Sequence, residues 1–373
     1  MKLGRRALGV CVLSLLATAL VWGQPVPSSS PKEQFANIVD ANFGSWDAND
    51  NGILEDAELA RAVQDPKMTG DAAAAAATLK SVLKNKKAPK FPDWTRDFFH
   101  GEDPSVDFLV RGYRSARARL ANASSELLVE ENLTLPQCKQ GSLGDCYLVA
   151  ATGAAINRDP GVIRKMIRLD SDLANYVVTY PDGAEVKVPA LTQGELAMGG
   201  AGTRSGLWLR ILEKAWGVRR ITGSKRLNPN AEPIDVMGYG GSIRTTFEAM
   251  SGHPVKSYRL GNSRGANVTI DELRTAIQEA LGAHRLIGAS TPTKVEVPGI
   301  NGNHAYAVLG FDAKTDEIQV WNPHVNRFKP KDTPGLKAGY PTSEGMFSMP
   351  LADFIATFGG ISIETEQAKP SRS

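Results

Sequence analysis

Gln140, Gly141, Ser142, Leu143, Gly144, Asp145, Cys146, Tyr147, Leu148, Val149, Ala150, Ala151 is the stretch on which the chain's chemistry turns. Two glycines let the backbone approach closely. Asp145 stands at an N-cap position, and the apolar run beyond it to Asn157, stopped by Pro160, has the pattern of a helix. A thiol attacks as its thiolate, and a helix N-terminus carries partial positive charge that favours that anion. Cys146 lies where this helix begins. Gln140, six residues earlier, is placed to send its carboxamide back toward the sulfur, where it would join the Cys146 backbone amide in stabilising an oxyanion. Taken alone, the segment also fits a small cysteine buried in a helix.

Two later segments decide between these. Asn301-Gly302-Asn303-His304-Ala305-Tyr306 puts a histidine after a glycine turn, at the mouth of an apolar strand running to Phe311. Eighteen residues on, Val320-Trp321-Asn322-Pro323 closes the next strand, and an asparagine there can accept the ring N–H of the histidine and fix its tautomer. Cysteine, histidine and asparagine in that chain order, the last two on adjacent strands, form the arrangement a thiol protease requires. His100, His253 and His284 lie in ordinary polar or loop settings.

With these segments the sequence resembles the calpain family of cysteine proteases. The resemblance rests on Gln140, Gly141, Leu143, Gly144, Asp145 and Cys146; on Trp208, Leu212, Glu213, Lys214 and Ala215; and on His304, Ala305, Tyr306 and Val308. Asn322, Pro323, Gly345, Phe347, Asp353 and Phe354 extend it over roughly residues 133–358. It implies an α+β, papain-like core of two lobes, with the cysteine helix on one and the histidine and asparagine on a β-rich other. The family usually places Trp after the nucleophile and Trp-Gly after Asn-Pro. Here Tyr147, and His324 with Val325, stand instead, which removes a ring expected to shield the asparagine and histidine from water. Trp321 is the candidate to compensate. The family's core calcium sites find no residue-by-residue match.

Nearer the N-terminus, Asp47 to Glu58 fits the EF-hand pattern at every fixed position. Asp47, Asn49 and Asn51 supply side-chain oxygens, Gly52 the sharp turn, Ile53 its carbonyl, Glu55 a ligand through water, and Glu58 a bidentate carboxylate. Ca2+ is the expected ligand, bound in the range of about 0.1–1 mM because only three of the side chains are carboxylates. An Asn- and Asp-rich turn that binds nothing is the competing interpretation. Helices are expected over 33–46, from the loop to Asp65, through the alanine run Ala72 to Ala77 and on to Leu83, and over 106–120.

The chain opens with Lys2, Arg5 and Arg6 and an apolar run from Ala7 to Trp22, with small residues preceding Gln24, which is the pattern of a cleaved secretory signal. Those three basic residues account for the whole formal charge of +3, since the full chain has 43 basic and 40 acidic residues. The remainder is balanced, so charge makes no case for nucleic acid or an anionic membrane, and no later segment is long and apolar enough to be an integral membrane span.

The expected organisation is a signal peptide (1–23), a linker with the EF-hand (24–66), a helical region (67–132), a lobe carrying the nucleophile helix (133–240), a β-rich lobe with the histidine and asparagine (241–365), and a tail (366–373). The helical region is an adaptor or a propeptide over the cleft. The function expected is a calcium-linked cysteine endopeptidase acting on proteins or peptides, exported to a secreted or periplasmic location. An acyl transferase on the same triad and a catalytically silent calcium-dependent binding protein are the alternatives.

Overall fold

The computed structural model describes residues 30–83, 88–130, 133–238, 240–261 and 265–366. The expected signal peptide and all of the tail except Glu366 lie outside the described residues.

The N-terminal third is helical. α1 (Pro31–Trp46) opens with a capping box in which Ser30 Oγ accepts from the Glu33 amide and Glu33 accepts from the Ser30 amide, with proline at the first turn. Its Phe35, Val39, Phe43 and Trp46 share a buried face. α2 (Asp56–Gln64), α3 (Gly70–Val82), α4 (Arg96–His100) and α5 (Ser105–Ala121) complete the layer. α3 is the alanine run, and its Ala73 to Ala77 are wholly buried. Small side chains let the neighbouring helices close in: a methyl group on Gly112 of α5 would stand 2.9 Å from Thr78.

The lobe that follows is built on α6 (Cys146–Arg158) and α9 (Trp208–Thr222), with α7 (Val162–Met166), α8 (Gln193–Ala197), α10 (Pro233–Met237) and α11 (Ile243–Ser251) around them. It also carries an antiparallel sheet of β1 (Ile167–Leu169), β2 (Asn175–Thr179) and β3 (Glu185–Pro189). The sequence pattern did not announce this sheet. β1 and β3 each bury a single residue, too little alternation to register as half-buried strands.

The second lobe is an antiparallel sheet of six strands in the order β4-β9-β5-β6-β7-β8. These are β4 (Val255–Arg259), β5 (Ile287–Ser290), β6 (Ala305–Asp312), β7 (Glu317–Trp321), β8 (Met346–Pro350) and β9 (Gly360–Glu364), backed by α12 (Ile270–Gly282) and α13 (Leu351–Thr357). β6 and β7 are the strands expected from sequence. β9, near the chain end, inserts between β4 and β5, pairing Ile361 with Tyr258 and with Ala289.

One apolar core runs through both lobes: Tyr147, Leu148 and Ala151 of α6 share it with Ala305, Ala307 and Trp321 of the sheet. The helical layer joins the first lobe through Ala197 and Met198 in its own core, and Lys80 Nζ lies 2.6 Å from Asp56 and 2.7 Å from Asp235. Among the described residues, the hydrogen bonds and ion pairs from 30–132 into the rest of the chain run to residues 192–208 and 235, not to Cys146, His304 or Asn322. No described helix is long and apolar enough to cross a membrane.

Candidate active site

Cys146 is the first residue of α6. The approach to it needs its glycines, for a methyl on Gly141 would lie 1.9 Å from the Gly200 carbonyl oxygen, and one on Gly144 3.0 Å from that of Gly238. Asp145 occupies the N-cap, but its side chain makes no capping bond. The expected cap is absent because that carboxyl points inward, fully buried, toward Glu213. Burial, then the Glu213 charge, pushes Asp145 well above the usual carboxylate range. Glu213 is in turn held by Arg210 at 2.7 Å and by the Ala201 amide at 2.9 Å.

The β6–β7 register assembles the other half. Ala307 pairs with Trp321, so His304, just before β6, and Asn322, just after β7, meet at one edge of the sheet. His304 Nε2 and Asn322 Oδ1 are 2.9 Å apart. Asn322 Nδ2 donates to Asn301 Oδ1 at 3.0 Å, and its Oδ1 also accepts the His324 amide at 3.0 Å, which fixes which end of the carboxamide faces the ring. Nε2 therefore carries the hydrogen and Nδ1 keeps the lone pair. Thr291 pins the histidine's backbone, exchanging bonds with the His304 amide and carbonyl at 3.0 Å each. The Ala305 amide, one residue on, acts on the Cys146 thiol in the direction that favours its anion, so the thiol lies at the same sheet edge as the histidine.

Gln140 is nearly buried. Its backbone amide donates to the Pro323 carbonyl at 2.9 Å, tying it to the asparagine's loop, and its Nε2 donates to Leu143 O at 2.7 Å. One carboxamide hydrogen remains for an oxyanion.

Burial governs the electrostatics. It pulls His304 down to about 4, assisted by His324 and opposed by the Asn322 bond. It also pushes the Cys146 thiol up, against the Ala305 amide. The thiolate-favouring effect expected at the helix end is thus outweighed by desolvation.

Trp321 does not shield the pair. It is fully buried and packs on α6, where a methyl on Gly153 would lie 2.3 Å from its ring. The cover comes from His324, whose ring stacks on that of His304 with centroids 4.4 Å apart and planes 27° from parallel, while Tyr306 meets His304 edge-on at 5.0 Å. Thr291, Asn301 and His324 were not legible as site residues, since each acts through a contact that only the sheet register creates.

The Asp47–Glu58 loop folds on its own side chains. Asp47 accepts from the Asn51 amide at 3.1 Å and the Gly52 amide at 2.8 Å, Asn49 from Asn51 at 3.0 Å, and Asn51 from Ile53 at 2.8 Å. Glu58 reaches back to the Ala48 amide at 2.9 Å and the Glu55 amide at 3.0 Å, and Glu55 accepts from Asn49 Nδ2 at 3.0 Å. Gly52 takes φ 77°, as a turn of this kind requires. Among the described residues no group of three or more His, Cys, Asp or Glu clusters as metal ligands. The loop's ligand oxygens come from three carboxylates, two carboxamides and one backbone carbonyl, a hard donor set that fits a hard cation, with Glu58 Oε1 held by the Ala48 and Asn49 amides.

A thiol at a helix start, a buried histidine and an asparagine that orients it form a constellation suited to nucleophilic thiol chemistry. Residues 89–331, well over half the chain, match the family described as calpain family cysteine protease, and the chain belongs to that family. The match contains all three residues and begins ahead of the 133–358 span on which the resemblance was read. It stops before β8, α13 and β9, although β9 sits inside the six-stranded sheet. No curated protein matches the chain.

Proposed function

We propose that this calpain-family cysteine protease is an endopeptidase in which Cys146 is the nucleophile, His304 the general base and Asn322 the residue that orients the base. The observation that carries this reading is the 2.9 Å contact from His304 Nε2 to Asn322 Oδ1, which leaves Nδ1 as the basic nitrogen on the ring beside the thiol. His304 takes the thiol proton as sulfur attacks the scissile carbonyl carbon. The oxygen becomes an oxyanion held by the Cys146 amide and Gln140 Nε2. The imidazolium then gives its proton to the departing amine, leaving a thioester on Cys146. Water, deprotonated by His304, attacks the thioester and releases the acid with the thiol restored.

We read the α6 lobe and the six-stranded sheet as the two lobes of a papain-like core. Residues 1–23 are taken as an export signal for a secreted or periplasmic protein, and Asp47–Glu58 as an EF-hand. Asp47, Asn49, Asn51, the Ile53 carbonyl, Glu55 and Glu58 would hold Ca2+. When bound, the ion supplies positive charge that gathers these oxygens and stiffens the junction of α1 and α2.

Cleavage of an unfolded protein substrate by the native chain and by Cys146→Ala, under reducing conditions with and without millimolar calcium, tests the assignment. Loss of cleavage in the variant and dependence on calcium are expected. Cleavage that survives the substitution would overturn the nucleophile, and cleavage indifferent to calcium would separate the loop from activity.

A further inference from the structure

The contact between the two histidine rings goes beyond the catalytic triad. His324 follows Pro323 in the loop after β7. Its backbone amide donates to Asn322 Oδ1 at 3.0 Å, the same oxygen that receives His304 Nε2–H at 2.9 Å. One carboxamide oxygen therefore sets the position of both histidines, and the rings lie nearly parallel at 4.4 Å. The other face and edge of His304 meet protein: Tyr306 stands edge-on, and His304 is 7% exposed. His324 is the cover that can change its charge.

We propose that His324 is a positioning residue for His304 that also acts as an acid gate, its neutral ring covering the base and its protonated ring opposing the imidazolium that catalysis must form. The inference rests on the reading of His304 as general base.

The groups facing the pair make the gate one-directional. Tyr306 faces His304, and the charge acting on His324 is that of Lys139. No carboxylate bears on either ring among the described residues. A second proton on the pair would therefore meet only positive or neutral neighbours. Both rings are held below the ordinary histidine value, and His324 is the more exposed of the two, the ring that solvent can charge while His304 stays covered. In that state His304 is still neutral, yet taking the thiol proton would place two positive rings in van der Waals contact, in a buried setting where charges interact strongly. Activity then falls before the base itself is titrated. An aromatic ring that cannot be protonated would give the same cover without the gate.

The test measures the rate at which iodoacetamide alkylates Cys146, followed by mass of the Cys146 peptide from pH 4.5 to 8. It uses the full chain and its His324→Phe, His324→Lys and His304→Ala variants, with kcat/KM on an unfolded protein substrate in parallel. His324→Phe is expected to keep the native rate at pH 7.5 within about threefold and to hold it between pH 6.5 and 5, where the native rate drops on the order of tenfold. His324→Lys, with a fixed charge near the same place, is expected to lose on the order of tenfold or more already at pH 7.5. A ring that served only as packing would impair the lysine variant but leave native and phenylalanine profiles superimposed, and that coincidence would overturn the proposal. If His304→Ala leaves Cys146 alkylation unchanged, the general-base reading itself fails. If His304→Ala slows it while the acid limbs of native and His324→Phe coincide, the gate alone fails.

Discussion

The Asp47–Glu58 loop and the site around Cys146, His304 and Asn322 both depend on placed side-chain oxygens, yet different forces hold them. In the loop, carboxylates and carboxamides accept from backbone amides no more than ten residues away, so the element can shape itself from its own sequence. At the site, the partners come from three segments. What aligns them is the register of β6 against β7 and the burial of Trp321 against Gly153 of α6. The site should therefore fail when distant packing fails, whereas the loop should fail only when its own ligands change.

The largest effect is expected from Trp321→Ala. Truncating a fully buried tryptophan that joins the sheet to α6 should cost about 3–5 kcal/mol in urea unfolding and remove activity with it. A cost below about 1 kcal/mol would break the claim that this contact aligns the two halves.

Next in size is a pH effect seated in His304. Its value is about 4 when folded, below the ordinary 6.5, so as pH falls through 6.5 the unfolded chain takes the proton first and stability drops. Between pH 7 and 4 the native protein should lose about 3 kcal/mol more than His304→Ala, read from urea midpoints at each pH. Parallel losses in the two proteins would mean that His304 is not buried as described.

Asn322→Ala should lower kcat roughly 5- to 150-fold with little change in KM, the loss of one buried hydrogen bond of about 1–3 kcal/mol on the transition-state side. A change confined to KM would assign the asparagine to substrate binding instead. The smallest effect belongs to the loop. Calcium at about ten times its dissociation constant should raise stability by about 1.4 kcal/mol, seen as an upward shift in Tm, and Glu58→Gln should abolish that shift. An equal shift in the variant would place the ion elsewhere.

The same contrast explains what could be read from sequence. The EF-hand pattern is contiguous, as is the Gln140–Cys146 motif, and the helices announced themselves through alanine content and apolar spacing. Asn322 was reachable because Val320 and Trp321 mark a strand end. His324 as a cover was not, since nothing in its neighbours tells that its ring turns back onto His304. Asp145 was misread as a cap because its inward turn depends on Glu213, 68 residues away. β9 was hidden by its position near the chain end and by Gly360 and Glu364 at its termini, and β1 to β3 by how few residues they bury.

The most direct test of the central claim is to acid-quench the protein during turnover of an N-blocked amino-acid p-nitrophenyl ester and weigh its cysteine peptides. The account predicts a thioester on Cys146, none on the buried Cys138, and loss of the adduct in His304→Ala. Turnover with no acyl group on Cys146, or with the group carried elsewhere, would contradict it.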